Sequence, residues 1–404
     1  MTTRLLISSV PGETRAAWQR DDRLEDLVVL RDDKPSRLGN LYLGRIARLD
    51  RSLEAAFVEI GLERQAFLPR PEWIDTQLSE GDAVLVRVVR EASGDKGVRV
   101  TMRGQEGAED LRALADRAEP PALLRAADDP VARVLAARHP PDEIVVEGAA
   151  ALGALRARLV DAGSELAARV RPHRAPTPLF EEAGIEAEIE ALLEPRVALP
   201  SGGVLLIEPV TGMVAVDVDS GRYRSPGGAE AAARAVNLEA AEVLGRQLRL
   251  RSLSGLIVID FLAMKGRDSR QEVVARLRAG VKRDREPCRV YPMSPSGLVE
   301  MTRRRGRPAL HETLTEAVGI GGSGRVKSAE TLAFEALRRL SRDAVHKPGG
   351  APALRAPAAV IAALRGPAEA ALRDLEQRLG RPVELLTGDG AEADGVEAVV
   401  ERRV

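Results

Sequence analysis

The chain has 404 residues, 44% of them apolar, enough for two to four cored domains rather than one. Its 60 basic and 61 acidic residues leave a net charge of −1, which excludes a uniformly basic RNA-coating protein, so any nucleic-acid surface must come from local segregation of charge. The single cysteine, Cys288, excludes intramolecular disulfides and a cysteine-rich zinc site within one chain.

No long apolar run and no signal-peptide pattern over Met1 to Trp18 is present, so the expected location is the cytoplasm. Aromatics make up 2%, which makes each exposed one informative. Only six of the basic residues are Lys, an Arg bias that weakens arguments from any single Arg.

Residues 1 to about 35 predict two short strands, Leu5 to Val10 and Leu27 to Leu30, separated by polar turns. Residues 36 to about 103 predict five short strands with Gly-centred turns: Asn40 to Ile46, Ala55 to Ile60, Gln65 to Pro69, Ala83 to Val89 and Val98 to Thr101. Five strands in so short a span suggest a small barrel. Residues 105 to 140 have helical spacing and predict a helix pair. A strand at Glu143 to Val146 and helices near 149–161 and 185–193 follow.

From 196 to 312 strand and helix alternate, which predicts an α/β layer. Its strands are Gly203 to Ile207, Met213 to Val218 and Leu256 to Phe261, and its helices cover about 227–249 and 269–285. Gly319 to Gly324 is a Gly-rich break, and a helix is expected over about 327–345. A linker from Lys347 to Pro357 then leads to a small α/β tail.

Two strands of this layer end in acid. In Val214-Ala215-Val216-Asp217-Val218-Asp219 the strand period puts Asp217 and Asp219 on one face and the valines on the other. Gly255-Leu256-Ile257-Val258-Ile259-Asp260 also finishes in a carboxylate. Side by side, the two strands would gather acids whose repulsion calls for a hard divalent cation. Mg²⁺ held by one or two carboxylates suits phosphodiester hydrolysis. Either motif alone is equally explained by an aspartate that opens a turn. Residues 215–310 carry nineteen Arg and Lys against eleven Asp and Glu, which suits a phosphate polymer; a solvated helix face in an Arg-rich protein gives the same count.

Asp217-Val218-Asp219-Ser220-Gly221-Arg222, Asn237-Leu238-Glu239-Ala240-Ala241, Arg246-Gln247-Leu248-Arg249-Leu250-Arg251, Gly255 to Phe261 and Ser296-Gly297-Leu298-Val299-Glu300-Met301-Thr302-Arg303 resemble, in order and spacing, the catalytic core of the ribonuclease E/G family. Leu53 to Gly61 with Ala66-Phe67-Leu68-Pro69 resembles that family's S1-type RNA-binding barrel, and Lys327-Ser328-Ala329-Glu330-Thr331 the start of its small C-terminal domain.

The resemblance implies a multidomain α/β protein. Residues 1–35 and 105–195 would form an RNase H-like subdomain with a helical linker. Residues 36–104 would be an inserted S1-type OB barrel, 196–315 a DNase I-like catalytic subdomain, 316–326 a Gly-rich link and 327–404 a small C-terminal domain. It implies an Mg²⁺-dependent endoribonuclease, with Mn²⁺ as a substitute, that cuts single-stranded RNA to 5′-phosphate and 3′-hydroxyl ends in rRNA maturation or mRNA turnover. Asp217 and Asp260 would be the metal ligands, Asp219 a third acid and Arg303 a phosphate clamp. Tyr42, Phe57, Phe67 and Lys96 would form the barrel's RNA surface, with Arg222, Arg249 and Arg304 contacting RNA from the core. Read on their own, Phe57 and Phe67 fit a barrel core better than a stacking platform.

The sequence departs from the family in three places. Position 219 is Asp where the family has Asn. The Cys-Pro-x-Cys zinc link has no counterpart in Glu316 to Gly324, so neither zinc nor a zinc-bridged dimer is expected, and the oligomeric state is open. The Gly-x-x-x-Arg-Thr signature of the family's 5′-monophosphate sensor is not found, so indifference to the RNA 5′ end is expected. The alternative function is a non-catalytic RNA-binding or ribosome-assembly protein on the same fold; a DNA nuclease is a third. The retention of both Asp217 and Asp260 favours catalysis, because a buried acid pair without metal is costly.

Overall fold

The chain opens on an antiparallel meander, β1 (Thr3–Val10), β2 (Glu13–Arg20) and β3 (Arg23–Arg31). The computed structural model describes residues 2–74, 77–92, 97–104, 109–127, 140–318, 324–346, 350–388 and 395–401. These divide into two units: Pro35–Val134 with Arg305–Pro308, and Met1–Lys34, Leu135–Arg304 and Ala309–Val404. β2 replaces the polar turns expected between two strands. Its Ala16, Ala17 and Trp18 are buried, and its charged Glu13 and Arg15 are buried in ion pairs rather than solvated.

In the first unit, β4 (Leu41–Asp50), β5 (Ala55–Glu59), β6 (Ala66–Pro69), β7 (Ala83–Arg90) and β8 (Arg99–Thr101) form where the sequence places strands. Their spatial order is β5-β6-β8-β7-β4, and a β4–β5 pairing closes the ring, as in an OB-like barrel. Tyr42, Ile46, Ala56, Val58, Leu68, Val86 and Val100 fill it. Gly44 is required inside: a Cβ there would lie 2.6 Å from Val58 and 2.9 Å from the Glu59 carbonyl oxygen.

The helix pair expected over 105–140 is only partly present. A short helix α1 (Glu109–Ala115) is followed by a strand, β9 (Ala122–Arg125), which pairs antiparallel with β4. The open edge of β4 offers backbone partners, and this pairing outweighs the helical propensity of Ala-Leu-Leu-Arg. Residues 128–139 lie outside the described residues.

In the second unit, β10 (Glu143–Glu147) runs parallel to β1, and β11 (Val170–Pro172) parallel to β10, giving a sheet of order β11-β10-β1-β2-β3. Helices α2 (Ala149–Asp161), α3 (Leu179–Glu182) and α4 (Ile185–Leu193) accompany it. Leu6, Ala17 and Leu27 of the sheet pack with Phe180, Ile185 and Ile189.

The central sheet has order β12-β13-β14-β15-β17-β16. It comprises β12 (Arg196–Ala198), β13 (Val204–Pro209), β14 (Val214–Asp219), β15 (Gly255–Asp260), β16 (Cys288–Val290) and β17 (Leu298–Arg303). Only β14 and β15 pair in parallel. The connection between them is the long helix α5 (Gly228–Leu250), and α6 (Arg267–Val281) follows β15. Val216, Val218, Ile257, Ile259, Val299 and Met301 pack against Val236, Leu244, Leu248, Val273 and Leu277 of these helices. The helices touch at Gly245 and Gly280; a Cβ on Gly245 would lie 2.7 Å from the Gly280 backbone.

A short helix α7 (Leu310–Leu314) leads into the Gly-rich link. That link is flanked by an antiparallel hairpin, β18 (Thr315–Val318) and β19 (Gly324–Lys327), while 319–323 lie outside the described residues. The chain then forms α8 (Ala329–His346), β20 (Ala351–Ala356), α9 (Ala358–Leu364), α10 (Glu369–Leu379), β21 (Glu384–Thr387) and β22 (Glu397–Glu401), around Phe334, Leu354, Ile361 and Leu364. β20 falls in the stretch read as a linker; it is the central strand, β21-β20-β22, held from both sides.

α8 is pinned to the N-terminal meander by buried ions. Glu13 accepts from Arg338 at 2.8 Å and from Arg31 at 3.1 Å, and Arg31 also donates to the Thr331 hydroxyl at 2.9 Å.

Candidate active site and RNA interface

Asp217 and Asp260 are opposed Cα partners on the parallel pair β14 and β15. Adjacent strands lie about 4.8 Å apart. Along β14, Val214, Val216 and Val218 face the helices while Asp217 and Asp219 are exposed; along β15, Ile257 and Ile259 are buried while Asp260 is exposed. The two carboxylates therefore stand on the sheet face opposite α5 and α6, exposed, and are not the buried acid pair expected from the sequence. Among the described residues no cluster of three or more His, Cys, Asp or Glu converges on one point, so the site is a pair of acids rather than a cage. Such a donor set fits a hard divalent ion that keeps part of its water shell.

Asp219 lies two residues beyond Asp217 on the same face, and its Oδ1 accepts from the Gly221 amide at 2.9 Å. The carboxylate thus closes the turn that ends β14. Gly221 sits at φ +55°, where a Cβ would come within 2.5 Å of the Gly202 carbonyl oxygen. Arg222 is exposed on this same turn.

The backbone leaving Asp260 is clamped by residues the sequence reading had not given a role. Asn237, fully buried on α5, donates from Nδ2 to the Leu262 carbonyl at 2.9 Å and accepts from the Leu262 amide at 3.0 Å. Glu230 accepts from the Lys265 and Gly266 amides, both at 3.0 Å, and these bonds hold its carboxyl below the usual range. Arg270 donates to the Met264 carbonyl at 2.6 Å. The available signal was an Asn in the apolar stripe of a helix, where only a satisfied amide can be buried.

Two expected RNA contacts of this unit are structural instead. Arg303 is 4% exposed; it donates from Nε and Nη2 to Asp284 at 2.8 and 2.9 Å, and from Nη1 to the Leu253 carbonyl at 3.0 Å. It shares parity with buried Val299 and Met301 on β17, so alternation turns it to the helices and away from the Asp217–Asp260 face. Arg249 is 8% exposed and donates to the Glu25 carbonyl at 2.8 Å and its carboxylate at 2.7 Å, tying α5 to β3. Arg304 is exposed and donates to Glu286 at 2.9 Å.

On the barrel, Phe57 and Phe67 are outward-facing and half-buried, with their rings edge to face at 5.9 Å. They sit in one transverse row of Cα partners: Arg48, Phe57, Phe67, Arg99, Arg90. The Arg48 guanidinium lies 4.4 Å from the Phe57 ring centre. Burial and the like charges of Arg99 and Arg305 push the Arg90 guanidinium down from its ordinary value, marking a cationic end to the row. The arginines were missed because their alignment depends on cross-strand register. Tyr42 is a correction: it is 6% exposed inside the barrel, on the parity of Ile46, and has no face for a base. Lys96 lies outside the described residues.

No helix among the described residues is long and apolar enough to cross a membrane. Comparison with known proteins gives one consistent result. Residues 72–306 match the model of the "Ribonuclease E/G family". The chain is 27% identical to ribonuclease G of Salmonella typhimurium (strain SL1344), over 95% of this chain and 97% of that protein. The same figures hold for ribonuclease G of Escherichia coli (strain K12). Ribonuclease E of Haemophilus influenzae is 29% identical over 85% of this chain and 46% of its own length.

Proposed function

This chain belongs to the ribonuclease E/G family and is an endoribonuclease of that kind, and we propose that it cuts single-stranded RNA with a divalent metal, Mg²⁺ or Mn²⁺, held by Asp217 and Asp260. The observation that carries this is their register: opposed positions on adjacent parallel strands, both exposed on the face left free by the helices. With the ion bound there, the site would gain charge neutralisation at the scissile phosphate and a more acidic water.

The remaining work falls to the chain itself. Asn237 and Glu230 hold the backbone after Asp260, so its carboxylate does not reorganise as the substrate arrives. Asp219 fixes the turn beside Asp217. Water attacks phosphorus and the 3′ oxygen leaves, giving a 5′-phosphate and a 3′-hydroxyl. On the barrel, Phe57 and Phe67 stack bases while Arg48, Arg90 and Arg99 take phosphates. The subdomain kinships read from the sequence, an S1-type barrel between two parts of an RNase H-like subdomain and a DNase I-like core, belong to the same proposal. So do a cytoplasmic setting and a role in rRNA maturation or mRNA turnover.

The test is cleavage of a labelled single-stranded oligoribonucleotide with Mg²⁺ by the wild type and by Asp260→Asn. The variant should fold normally and lose about a hundredfold or more in rate, the loss of several kcal/mol of charge stabilisation. Equal rates would sink the assignment.

A further inference from the structure

The open face of the central sheet continues away from the aspartates. Leu256 shares it with Asp260, four residues along β15, about 13 Å. It pairs with Thr302 of β17, and Thr302 pairs with Arg289 of β16. Leu256 is 41% exposed, unusual for a large apolar side chain in a sheet. With Cys288 and Arg304 these residues line a shallow, open groove of about 470 Å³.

Its chemistry is that of a nucleotide subsite. The floor is apolar at Leu256, while Cys288 of β16, the register partner of Arg303, turns its half-buried thiol to the helix side of the sheet. The rim is cationic. Arg289 is exposed, its guanidinium 5.1 Å from the centre of the Tyr291 ring. Arg304 keeps 64% of its side chain exposed while one edge is held by Glu286. A flat apolar surface between two guanidinium groups suits a base and its flanking phosphates. It lies on the face that carries the acids, a few nucleotides along an extended strand from them.

We propose that this groove is a substrate subsite, taking one nucleotide of the single-stranded RNA remote from the cut bond, its base on Leu256 and its flanking phosphates on Arg289 and Arg304. The proposal rests on the nuclease reading of Asp217 and Asp260. It predicts that substrate length on one side of the cut governs KM.

Two measurements test it. In the first, Arg289→Glu and Leu256→Ser are compared with wild type on a long oligoribonucleotide and on one truncated on either side of the cut. Each variant should raise KM for the long substrate about tenfold with kcat nearly unchanged, and should lose the advantage of the long substrate over one of the truncated ones. In the second, binding of an uncleavable 2′-O-methyl oligonucleotide to the wild type and to both variants is followed by fluorescence anisotropy. Each variant should weaken binding of the long oligonucleotide about tenfold and leave that of a truncated one unchanged. Cleavage by the wild type with KM and binding unmoved in the variants overturns the subsite and leaves the nuclease reading intact. Failure of the wild type to cleave, with binding still weakened in the variants, overturns the nuclease reading and supports the groove as an RNA site. A changed sedimentation coefficient with KM unmoved makes it an interface between copies and also overturns the proposal.

Discussion

Asp217 and Asp260 face each other across the single parallel pairing of the central sheet, while Asp219, two residues on, spends one oxygen on the Gly221 amide at 2.9 Å. The three acids are therefore not equivalent. Two stand free on the open face, and the third builds the turn. Asn supplies the same side-chain oxygen as Asp, so Asp219→Asn should keep cleavage within a few-fold of wild type. Asp219→Ala removes the acceptor and should cost about 1 kcal/mol of stability as well as rate. Thermal unfolding and single-turnover cleavage read the two effects separately.

The Phe57–Phe67 pair and Tyr42 make opposite predictions on the same barrel. Phe67→Ala should weaken single-stranded RNA binding by about 1–3 kcal/mol, a stacking loss insensitive to salt. Arg99→Glu should weaken binding and flatten its dependence on salt. Tyr42→Phe should leave binding unchanged, because the ring is enclosed. Fluorescence anisotropy at several salt concentrations distinguishes the three. Weakened binding by Tyr42→Phe would contradict the packing.

Arg303 and Asp284 form a buried bidentate pair, with side chains 3% and 1% exposed. Removing the guanidinium leaves a buried carboxylate uncompensated. Arg303→Ala should therefore cost about 3–5 kcal/mol of stability, and Arg303→Ala with Asp284→Ala less than the two single changes together. If Arg303→Ala unfolds like wild type but raises KM for RNA, the residue is a clamp after all.

The Glu13 cluster sets an acid limit on stability. Burial alone raises the Glu13 carboxyl, but Arg338, Arg15 and Arg31 outweigh it and hold the group below its ordinary 4.5. A folded value below the unfolded one gives stability that is present above the unfolded value and lost as pH falls through the folded value. Melting temperature should hold from neutral pH down to about 5 and then drop. Glu13→Gln should lower stability by about 3–5 kcal/mol at neutral pH and flatten the acid limb.

The reading of the 5′ end is tested directly. Equal cleavage rates are expected for 5′-phosphorylated and 5′-hydroxyl forms of one oligoribonucleotide. A clear preference for the phosphorylated form would show that a sensor is present after all.

The sequence by itself was enough for the five barrel strands, the strands bearing Asp217 and Asp260, the helix between them and the one that follows, and the family. Those features are local: hydrophobic alternation, helical period and contiguous motifs survive without knowledge of neighbours. Parity within a strand even carried signals that were passed over, since Arg303 shares a face with Val299 and Met301, and Tyr42 with Ile46. Tertiary structure alone decided the rest. β2 and β9 form because open strand edges offer their backbones partners, against polar or helical composition. Arg249 is enclosed because β3 packs on the end of α5. Arg48, Arg90 and Arg99 join the two phenylalanines only through cross-strand register, which no single segment encodes. The same holds for Asp217 and Asp260: each is visible in its own strand, but their opposition is a property of the pairing between β14 and β15.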